Sequence, residues 1–212
     1  MIENKVTLLS QSAELVNSTT GTPTQVVAQS AKVCKASADT ADYCECRRLC
    51  RKLLGWEHYS PFEFFSVTFK CVTSRAVSHQ LVRHRLASYM QESQRYCAYD
   101  KGLNVVCPAA IREAGQAEVW LAGVREAYHV YLSLIYAGVK PEAARTVLPE
   151  ATATTILVHM NLREFRHFLT LRLGNSAWAE MRLLAKAMVD AFLFKFPDEQ
   201  YMLKDCFPSV RS

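Results

Sequence analysis

The segment RHRLASYMQESQRY, residues 83–96, concentrates positive charge and hydrogen-bond donors. Three basic residues begin it, Arg95 stands near its end, and Glu92 is its only acid. Arginine binds phosphate through two parallel N–H donors, so this composition favours an anionic ligand. For the three leading residues alone, the alternative is a basic helix end, where cations interact favourably with the last carbonyl groups.

A second basic segment, residues 161–172, reads NLREFRHFLTLR. On a helical wheel Arg163, Arg166 and His167 share one face. Arg172 falls on the opposite face among apolar residues, where an unpaired arginine is energetically costly. The residues alone leave two interpretations of Arg172 open: a functional contact, or a side chain that reaches water from the edge of the core.

A third motif, HYSPFEFF at residues 58–65, places His58 and Glu63 within one short turn. A histidine and a glutamate can act as acid and base. They can equally cap the end of the strand that follows, and the motif alone does not separate the two.

Composition limits the class of protein. The 212 residues are half apolar, carry a formal charge of +5 and include only 7 glycines and 7 prolines, which predicts a single globular domain over residues 1–212. The basic residues are dispersed, which favours anionic small molecules over nucleic acid. The first residues lack the features of a secretory signal, and no run approaches the ~18 apolar residues of a membrane span. We therefore expect a cytoplasmic protein that binds neither nucleic acid nor membrane.

Four of the eight cysteines lie between residues 34 and 50. They show neither paired C-x2-C spacing nor histidines at short intervals, so we do not expect a metal site. Cys46 and Cys50 are four residues apart and would share one buried helix face. Without a secretory signal, a disulfide framework is not expected either.

Hydrophobic periodicity predicts strands interspersed with long helices. In segment 64–73 the alternation of Phe65, Val67 and Phe69 with polar residues predicts a half-buried strand, and Val119 begins the apolar stripe of a long helix. The predicted strands span 5–12, 64–73 and 153–160. The predicted helices span 25–37, 41–56, 75–85, 117–138, 141–149, 161–173 and, after an interruption at 174–175, 177–194. This mixture predicts an α/β or α+β domain, although the order of elements does not fix the sheet topology.

The spacing R-H-R-x2-S-x4-S-x-R-Y at residues 83–96 resembles the signature of the flavin-dependent thymidylate synthases. Further positions match the family in the same order along the chain. They are His58, Ser60, Pro61, Phe62, Glu63, Gln80, the segment 144–149, Asn161, Arg163, Leu171, Arg172, Glu180 and Arg182. A set of this size in this order is not expected by chance.

The resemblance implies a mainly antiparallel sheet flanked by long helices, in a homotetramer whose active sites are shared between subunits. It implies FAD as cofactor and the conversion of dUMP to dTMP. The methylene group would come from 5,10-methylenetetrahydrofolate and the reducing equivalents from NADPH through the flavin, and the folate would leave as tetrahydrofolate. The basic run at residues 83–96 would then face two anionic ligands.

The resemblance also implies site residues, carried over position by position. The implied dUMP contacts are Gln80, Arg83, Gln91, Glu92, Ser93, Gln94, Arg95, Arg145 and Arg172. The implied FAD contacts are His58, Ser60, Glu63, Arg83, His84, Arg85, Gln91, Asn161, Arg163 and His167. Arg172 matches the arginine thought to help ionise the uracil ring, because arginine cannot act as a base at neutral pH but can stabilise an anion. No evident base neighbours Ser93, so we interpret it as a dUMP ligand and not as a covalent catalyst.

The chain departs from the family pattern at a few positions. Met90 stands where relatives often have Asn or Ser, and Gln91 replaces a common Glu. Ser176 and Trp178 replace the usual His and a polar residue. His167, where some relatives have Asn, still offers a donor. These departures concern the details of flavin and folate binding and leave the reaction class unchanged.

Two alternatives stay open. A pyrimidine nucleotide hydroxymethylase on the same fold would complete the transfer with water instead of hydride, and ligand contacts alone do not exclude it. A non-catalytic nucleotide- or RNA-binding module would bind without chemistry. Against the binding module, the aromatic residues follow core periodicity and are not interleaved with basic residues as stacking platforms would be.

Overall fold

The computed structural model describes residues 5–34, 36 and 42–207. Within them the chain forms six strands and eight α-helices. The strands are β1 (Val6–Leu8), β2 (Ser12–Ser18), β3 (Ser66–Ser74), β4 (Ala87–Gln91), β5 (Leu103–Val105) and β6 (Ala153–Asn161). The helices are α1 (Pro23–Val33), α2 (Tyr43–Gly55), α3 (Arg75–Leu81), α4 (Ala109–Glu113), α5 (Ala117–Tyr136), α6 (Pro141–Ala144), α7 (Leu162–Arg172) and α8 (Ala179–Lys195).

The larger sheet has four strands in the order β2-β3-β6-β4, and β1 pairs with β5 in a separate parallel pair. Strands β3 and β6 run antiparallel, as the hydrogen bonds at their ends establish. The Arg75 N–H donates to the Thr152 carbonyl at 3.0 Å, and the Leu162 N–H donates to the Phe65 carbonyl at 2.7 Å. The architecture is therefore an antiparallel sheet combined with helices, as the sequence predicts.

Strand β3 follows the predicted alternation. Val67 and Phe69 are buried, whereas Thr68 and Lys70 keep contact with solvent. The ring of Phe69 packs 5.1 Å from the ring of Phe165 on α7. The buried face of β3 thus supports the helix that carries the second basic segment.

The contacts divide the chain into two compact units. The first unit comprises Met1–Ser12, Cys71–Arg83 and Met90–Ile156. The second unit comprises Ala13–Lys70, His84–Tyr89 and Leu157–Ser212. The sequence-based expectation of one domain over residues 1–212 stays a prediction.

The core of the first unit is built from β5, α5 and α6. Its buried residues are Leu103, Val105, Val124, Tyr128, Tyr131, Leu132 and Ala144. The Tyr128 hydroxyl donates to the Tyr99 carbonyl at 2.6 Å, and the Tyr99 N–H donates to the Tyr131 hydroxyl at 3.1 Å. These bonds attach the segment that follows β4 to the long helix α5.

In the second unit, α1 packs on α2 and α7 packs on α8. The ring of Phe165 lies 5.6 Å from that of Phe192, which joins α7 to α8. Near the C-terminus, buried Glu199 accepts hydrogen bonds from the Thr24 hydroxyl at 2.5 Å and from the Tyr43 hydroxyl at 3.3 Å. This carboxylate links the 3₁₀ helix Pro197–Met202 to α1 and α2.

Several long elements match the predicted ones. Helices α2, α5, α7 and α8 and strands β3 and β6 lie within one to a few residues of their predicted bounds. Cys46 and Cys50 are both buried on α2, as their spacing predicts. Helix α1 ends at Val33, so the predicted helix 25–37 is too long at its C-terminal end, where Cys34 and Ala36 lie in a turn. Residues 35, 37 and 41 lie outside the described residues.

Other elements correct the predictions. The helix predicted over 75–85 ends at Leu81, so the basic run from Arg83 lies in the turn that leads to β4. The predicted strand 5–12 is divided between β1 and the start of β2. The predicted helix 141–149 consists of α6 and the short 3₁₀ helix Arg145–Val147. These segments are too short for hydrophobic periodicity to separate them.

Most of strand β2, strand β4 and the short elements β5 and α4 have no counterpart in the prediction. Strands β2 and β4 contain no fully buried residue, and such strands give a weaker hydrophobic signal than β3 and β6. Val119, predicted to lie in the apolar stripe of α5, is 71% exposed because the first turn of the helix extends beyond the core. Within the described residues, none of the helices is sufficiently long and apolar to cross a membrane.

Candidate functional site

A cavity of about 750 Å³ in the second unit is lined by the basic face of α7. Arg163, Arg166 and His167 all line it, which confirms that the three share one face of the helix. The other lining residues are Tyr59, Glu63, Leu86, Asn161, Glu164, Thr170 and Asp205. The cavity therefore combines cationic donors with acids and one aromatic ring.

The sequence fixes the start of α7 through a side-chain cap. Asn161 is the N-cap residue, and its Oδ1 accepts a hydrogen bond from the Glu164 N–H at 2.9 Å. Asparagine is among the preferred residues at this position because it satisfies a backbone donor that the helix leaves unpaired. In the first turn of the helix, Arg163 Nη1 donates to Glu63 Oε1 at 2.5 Å. Three of the predicted flavin contacts, Asn161, Arg163 and Glu63, thus meet at one end of the cavity.

Arg166 is a further basic residue of this cavity and is only 6% exposed. Its Nη2 donates to Asp205 Oδ2 at 2.6 Å, and its guanidinium lies 5.4 Å from the ring centroid of Tyr59. Burial opposes its charge, but the hydrogen bond that it donates to Asp205, together with nearby negative charge, outweighs this and raises the pKa of Arg166. Its Nη1 is buried without a hydrogen-bond partner among the described residues. An unsatisfied cationic donor beside a cavity suits an anionic ligand.

His84 connects the basic run to the end of α7. Arg172 Nε donates a hydrogen bond to His84 Nε2 at 2.9 Å. On the other side of the ring, His84 Nδ1 lies 3.3 Å from Glu164 Oε1. The ring also contacts Phe168 edge-on, with centroids 5.0 Å apart. The arginine that the sequence places on an apolar face is therefore paired, through a buried histidine.

The histidine in this chain of contacts is uncharged at neutral pH. Burial, together with the positive charges of Arg172 and His167, lowers the pKa of His84 to about 4. Burial also raises the pKa of Glu164, against the opposing effect of His167. The 3.3 Å contact between His84 Nδ1 and Glu164 Oε1 is accordingly not an ion pair.

A smaller cavity of about 300 Å³ adjoins these residues in the second unit. Arg85 and Ser88 line it, together with Glu63 and Asn161, which line the larger cavity as well. The predicted flavin contact Arg85 is thus close to the end of α7. His58 lies outside the linings of both cavities, and its exposed ring contacts Trp56 at 5.8 Å. Ser60 begins the 3₁₀ helix Ser60–Phe64, which positions Glu63.

The predicted nucleotide contacts other than Arg172 lie in the first unit. Gln91 Nε2 donates to the hydroxyls of Ser78 at 2.9 Å and Thr154 at 3.2 Å. The carboxylate of Glu92 accepts from the Tyr99 hydroxyl at 2.9 Å and from the Thr155 N–H at 3.5 Å. These side chains hold the end of β4 in place, because each of their bonds reaches a neighbouring element.

Ser93 and the two predicted phosphate ligands follow. The Ser93 hydroxyl accepts from the Arg95 N–H at 3.2 Å, which forms a tight local turn. Arg95 Nε donates to Glu142 Oε2 at 2.8 Å, and Arg145 Nε donates to the Glu142 carbonyl at 3.2 Å. Arg95 and Arg145 are far apart in the sequence, yet both donate a hydrogen bond to Glu142. Gln94, in the same unit, is buried. Arg83 is exposed, and its backbone N–H donates to the Gln80 carbonyl at 3.3 Å.

Sequence reasoning missed several residues of these sites. The helical wheel placed Arg166 on the cavity face but did not assign it a ligand. Glu164 carried only the signal of an acid in the first turn of a helix, and Asp205 and Glu142 carried none. Among the described residues, no group of three or more His, Cys, Asp or Glu side chains could hold a metal ion.

Comparison with known proteins identifies the family. The family described as thymidylate synthase complementing protein matches residues 14–198. The chain is 42% identical over 145 residues to a flavin-dependent thymidylate synthase of Pyrococcus furiosus. That alignment covers 66% of this chain and 59% of the relative, so the chain spans about three fifths of the relative's length.

Two solved structures share the fold. The first is a UMP/dUMP methylase from Streptomyces cacaoi bound with 5-Br dUMP, with a TM-score of 0.83, 26% identity and coverage of 98% of this chain and 100% of that one. The second is a flavin-dependent thymidylate synthase from Helicobacter pylori complexed with FAD and dUMP, with a TM-score of 0.76, 26% identity and coverage of 92% and 99%. Both confirm the predicted fold class. With a family match over most of its length, the chain belongs to the family of the flavin-dependent thymidylate synthases.

Proposed function

We propose that the protein is a flavin-dependent thymidylate synthase that converts dUMP to dTMP. The methylene group comes from 5,10-methylenetetrahydrofolate and the reducing equivalents from NADPH, and tetrahydrofolate is released. The observation that carries the proposal is the basic cavity face of α7, whose helix ends in an arginine held by a buried histidine. Family membership and the solved relative bound to FAD and dUMP support it.

The residues present fit FAD. The larger cavity carries Arg163, Arg166 and His167, and the unsatisfied Nη1 of Arg166 matches the need of a diphosphate for charged donors. The residues that would hold the cofactor are His58, Ser60, Glu63, Arg83, His84, Arg85, Gln91, Asn161, Arg163 and His167, and we add Arg166. When bound, FAD supplies the transfer of reducing equivalents from NADPH to the one-carbon group.

The first unit contributes the contacts to dUMP. We assign Arg95 and Arg145 to the phosphate, since both already bind Glu142 and a phosphate offers the same acceptor chemistry with more charge. Ser93 positions the nucleotide through its hydroxyl. The full set of proposed dUMP contacts is Gln80, Arg83, Gln91, Glu92, Ser93, Gln94, Arg95, Arg145 and Arg172.

Arg172 is the residue we assign to catalysis. Its guanidinium stays charged at any physiological pH, so it does not remove a proton. It stabilises the negative charge that develops on the uracil ring when the ring ionises, which makes the reacting carbon more nucleophilic. The hydrogen bond to His84 holds the guanidinium in a fixed orientation for this task.

The remaining parts of the proposal concern the assembly and its setting. We propose a homotetramer with active sites shared between subunits, acting in the cytoplasm without nucleic-acid or membrane partners. The family relationship supports these statements. Sedimentation of the purified protein tests the tetramer directly.

Product analysis tests the reaction. The purified protein is incubated under low oxygen with FAD, NADPH, 5,10-methylenetetrahydrofolate and either dUMP or UMP, and the products are identified by mass spectrometry. We expect dTMP and tetrahydrofolate to appear together from dUMP. Hydroxymethyl-dUMP would overturn the reductive step and favour the hydroxymethylase. Unchanged nucleotides with no bound flavin would favour the non-catalytic binding module, and methylation of UMP would widen the substrate to both nucleotides.

A further inference from the structure

We propose that Glu164 is a positioning residue for Arg172 and acts through His84. In this arrangement the Glu164 carboxylate holds the proton on His84 Nδ1, which leaves His84 Nε2 to accept the hydrogen bond from Arg172. The inference rests on the proposed function and deepens it, because it names the residue that orients the catalytic arginine.

The direction of the two contacts determines where the proton lies. Arginine nitrogens only donate, so His84 Nε2, at 2.9 Å from Arg172 Nε, must be the accepting nitrogen of the ring. A neutral imidazole carries its proton on the other nitrogen, Nδ1, which lies 3.3 Å from Glu164 Oε1. In the proposed arrangement this Nδ1–H is directed at Glu164, so that Glu164, His84 and Arg172 form a chain with one direction.

The surroundings make this chain rigid. His84 is 6% exposed and Glu164 is 4% exposed, so water cannot replace either partner at low cost. The Tyr89 hydroxyl donates to the His84 carbonyl at 2.8 Å, and Phe168 packs against the ring. These contacts restrict the backbone and the plane of the imidazole.

The position of Glu164 in α7 supports a carboxylate acceptor. It lies in the first helical turn, where unpaired backbone N–H groups and the helix dipole stabilise negative charge. Burial raises the pKa of Glu164, and the positive charge of His167, one turn further on, opposes this shift. The charged or titratable groups that act on this histidine are Glu164, His167 and Arg172, all on α7.

The consequence falls on the guanidinium of Arg172. The group is planar and rigid, so fixing Nε on a buried acceptor restricts the plane in which the other two nitrogens lie. Loss of Glu164 would allow the proton to move to His84 Nε2. Two donors would then face each other, and Arg172 would lose its fixed orientation without losing its charge.

The test compares substitutions of Glu164 in the FAD-loaded full-length protein. Glu164→Leu removes the acceptor, Glu164→Gln keeps a carbonyl oxygen, and Glu164→Asp keeps the charge on a shorter side chain. Glu199→Leu is the matched control, since it removes an acid that is 1% exposed, lies in the same unit, and bonds to Thr24 and Tyr43 instead of His84. We expect Glu164→Leu to lower kcat about 100-fold with little change in KM for dUMP, as a misplaced catalytic group does. Glu164→Gln should restore most of that loss, and the control should retain the wild-type kcat.

A second readout follows the tautomer itself. Long-range ¹H–¹⁵N spectra of ¹⁵N-histidine-labelled protein, with the His84 signals identified by their loss in His84→Gln, report which ring nitrogen carries the proton. We expect Nδ1–H in the wild type and a change of tautomer in Glu164→Leu. An unchanged tautomer, or a kcat no lower than that of the control, would overturn the inference.

The two readouts also separate this inference from the proposed function. If Glu164→Leu does not fold, Glu164→Asp provides the same comparison, and an Asp variant with wild-type kcat and tautomer would count against the relay. If the wild type makes no dTMP, the proposed function fails and the positioning role fails with it. The spectra then still decide whether Glu164 sets the tautomer of His84.

Discussion

Arg172 illustrates how a single side chain can be both costly and useful. It lies on the apolar side of α7 and is partly buried, and its Nε donates to a neutral histidine. The histidine partner is itself uncharged, so this hydrogen bond does not neutralise the guanidinium. This contact supports the proposed role of Arg172 in stabilising a uracil anion.

Replacing Arg172 by lysine tests whether geometry or charge matters. Lysine keeps the charge but lacks the planar group and the Nε donor, so we expect kcat to fall by roughly 100- to 1000-fold, the usual effect of losing one preorganised donor. The flavin absorbance of the purified variant should stay that of the wild type. Arg48→Lys, at an exposed arginine of α2, serves as control. A lysine variant with near wild-type kcat would mean that the charge alone is sufficient.

Ser93 is predicted to bind dUMP without forming a covalent bond. In Ser93→Ala the nucleotide loses one hydrogen bond and the turn to Arg95 loses another, so we expect binding to weaken by on the order of 1 kcal/mol. Calorimetric titration with dUMP measures the affinity, and the flavin spectrum provides the internal control. Unchanged dUMP affinity would exclude Ser93 as a ligand, and complete loss of turnover with normal affinity would favour a catalytic role.

Helix α7 positions most of the site in the second unit. The start of this helix is set by a local feature of the sequence, the N-cap residue Asn161. The Asn161 cap fixes the first turn, which carries Arg163 and Glu164. The burial of Phe165, Phe168 and Leu169 then holds the opposite face of the helix against its neighbours. The basic face remains toward the cavity because the apolar face is fully used in packing.

The cap can be tested separately from any ligand contact. We expect Asn161→Ala to reduce the free energy of unfolding by about 1 kcal/mol, since the Glu164 N–H loses its acceptor. Asn161→Asp should be nearly neutral, because aspartate caps helices equally well. Urea unfolding of the flavin-free protein, followed by circular dichroism, measures both. Equal destabilisation by the two substitutions would show that the amide group, and not the cap, is what the fold requires.

At the scale of the whole molecule, buried ionisable groups link stability to pH. The pKa of His84 is lowered to about 4, so the unfolded chain binds a proton more readily than the native one. The stability that neutral His84 contributes is therefore present above its ordinary pKa of 6.5 and is lost as the pH falls towards 4. Burial raises the pKa values of Glu164 and Glu199, and these groups act in the opposite direction on acidification.

Comparing two proteins isolates the effect of the histidine. We expect the free energy of unfolding of the wild type to fall, relative to that of His84→Gln, by roughly 2 to 3 kcal/mol between pH 6.5 and pH 4. Chemical unfolding at a series of pH values measures the difference, and His58→Gln, at an exposed histidine, is the control. Parallel curves for the wild type and His84→Gln would mean that His84 is not held neutral in the native protein.

The sequence by itself determined the features that depend on residues close together in the chain. The alternation in β3, the wheel of α7 and the spacing from Arg83 to Tyr96 were readable because each depends on residues near one another in the chain, and the spacing sufficed to identify the family. The tertiary structure alone decided which distant groups meet. Arg172 and His84 are separated by 88 positions, and both the partner of this partly buried arginine and the inferred tautomer of the histidine follow from that contact. No periodicity encodes such a contact, because it arises from the packing of whole elements and from the energetic cost of leaving buried polar groups unpaired.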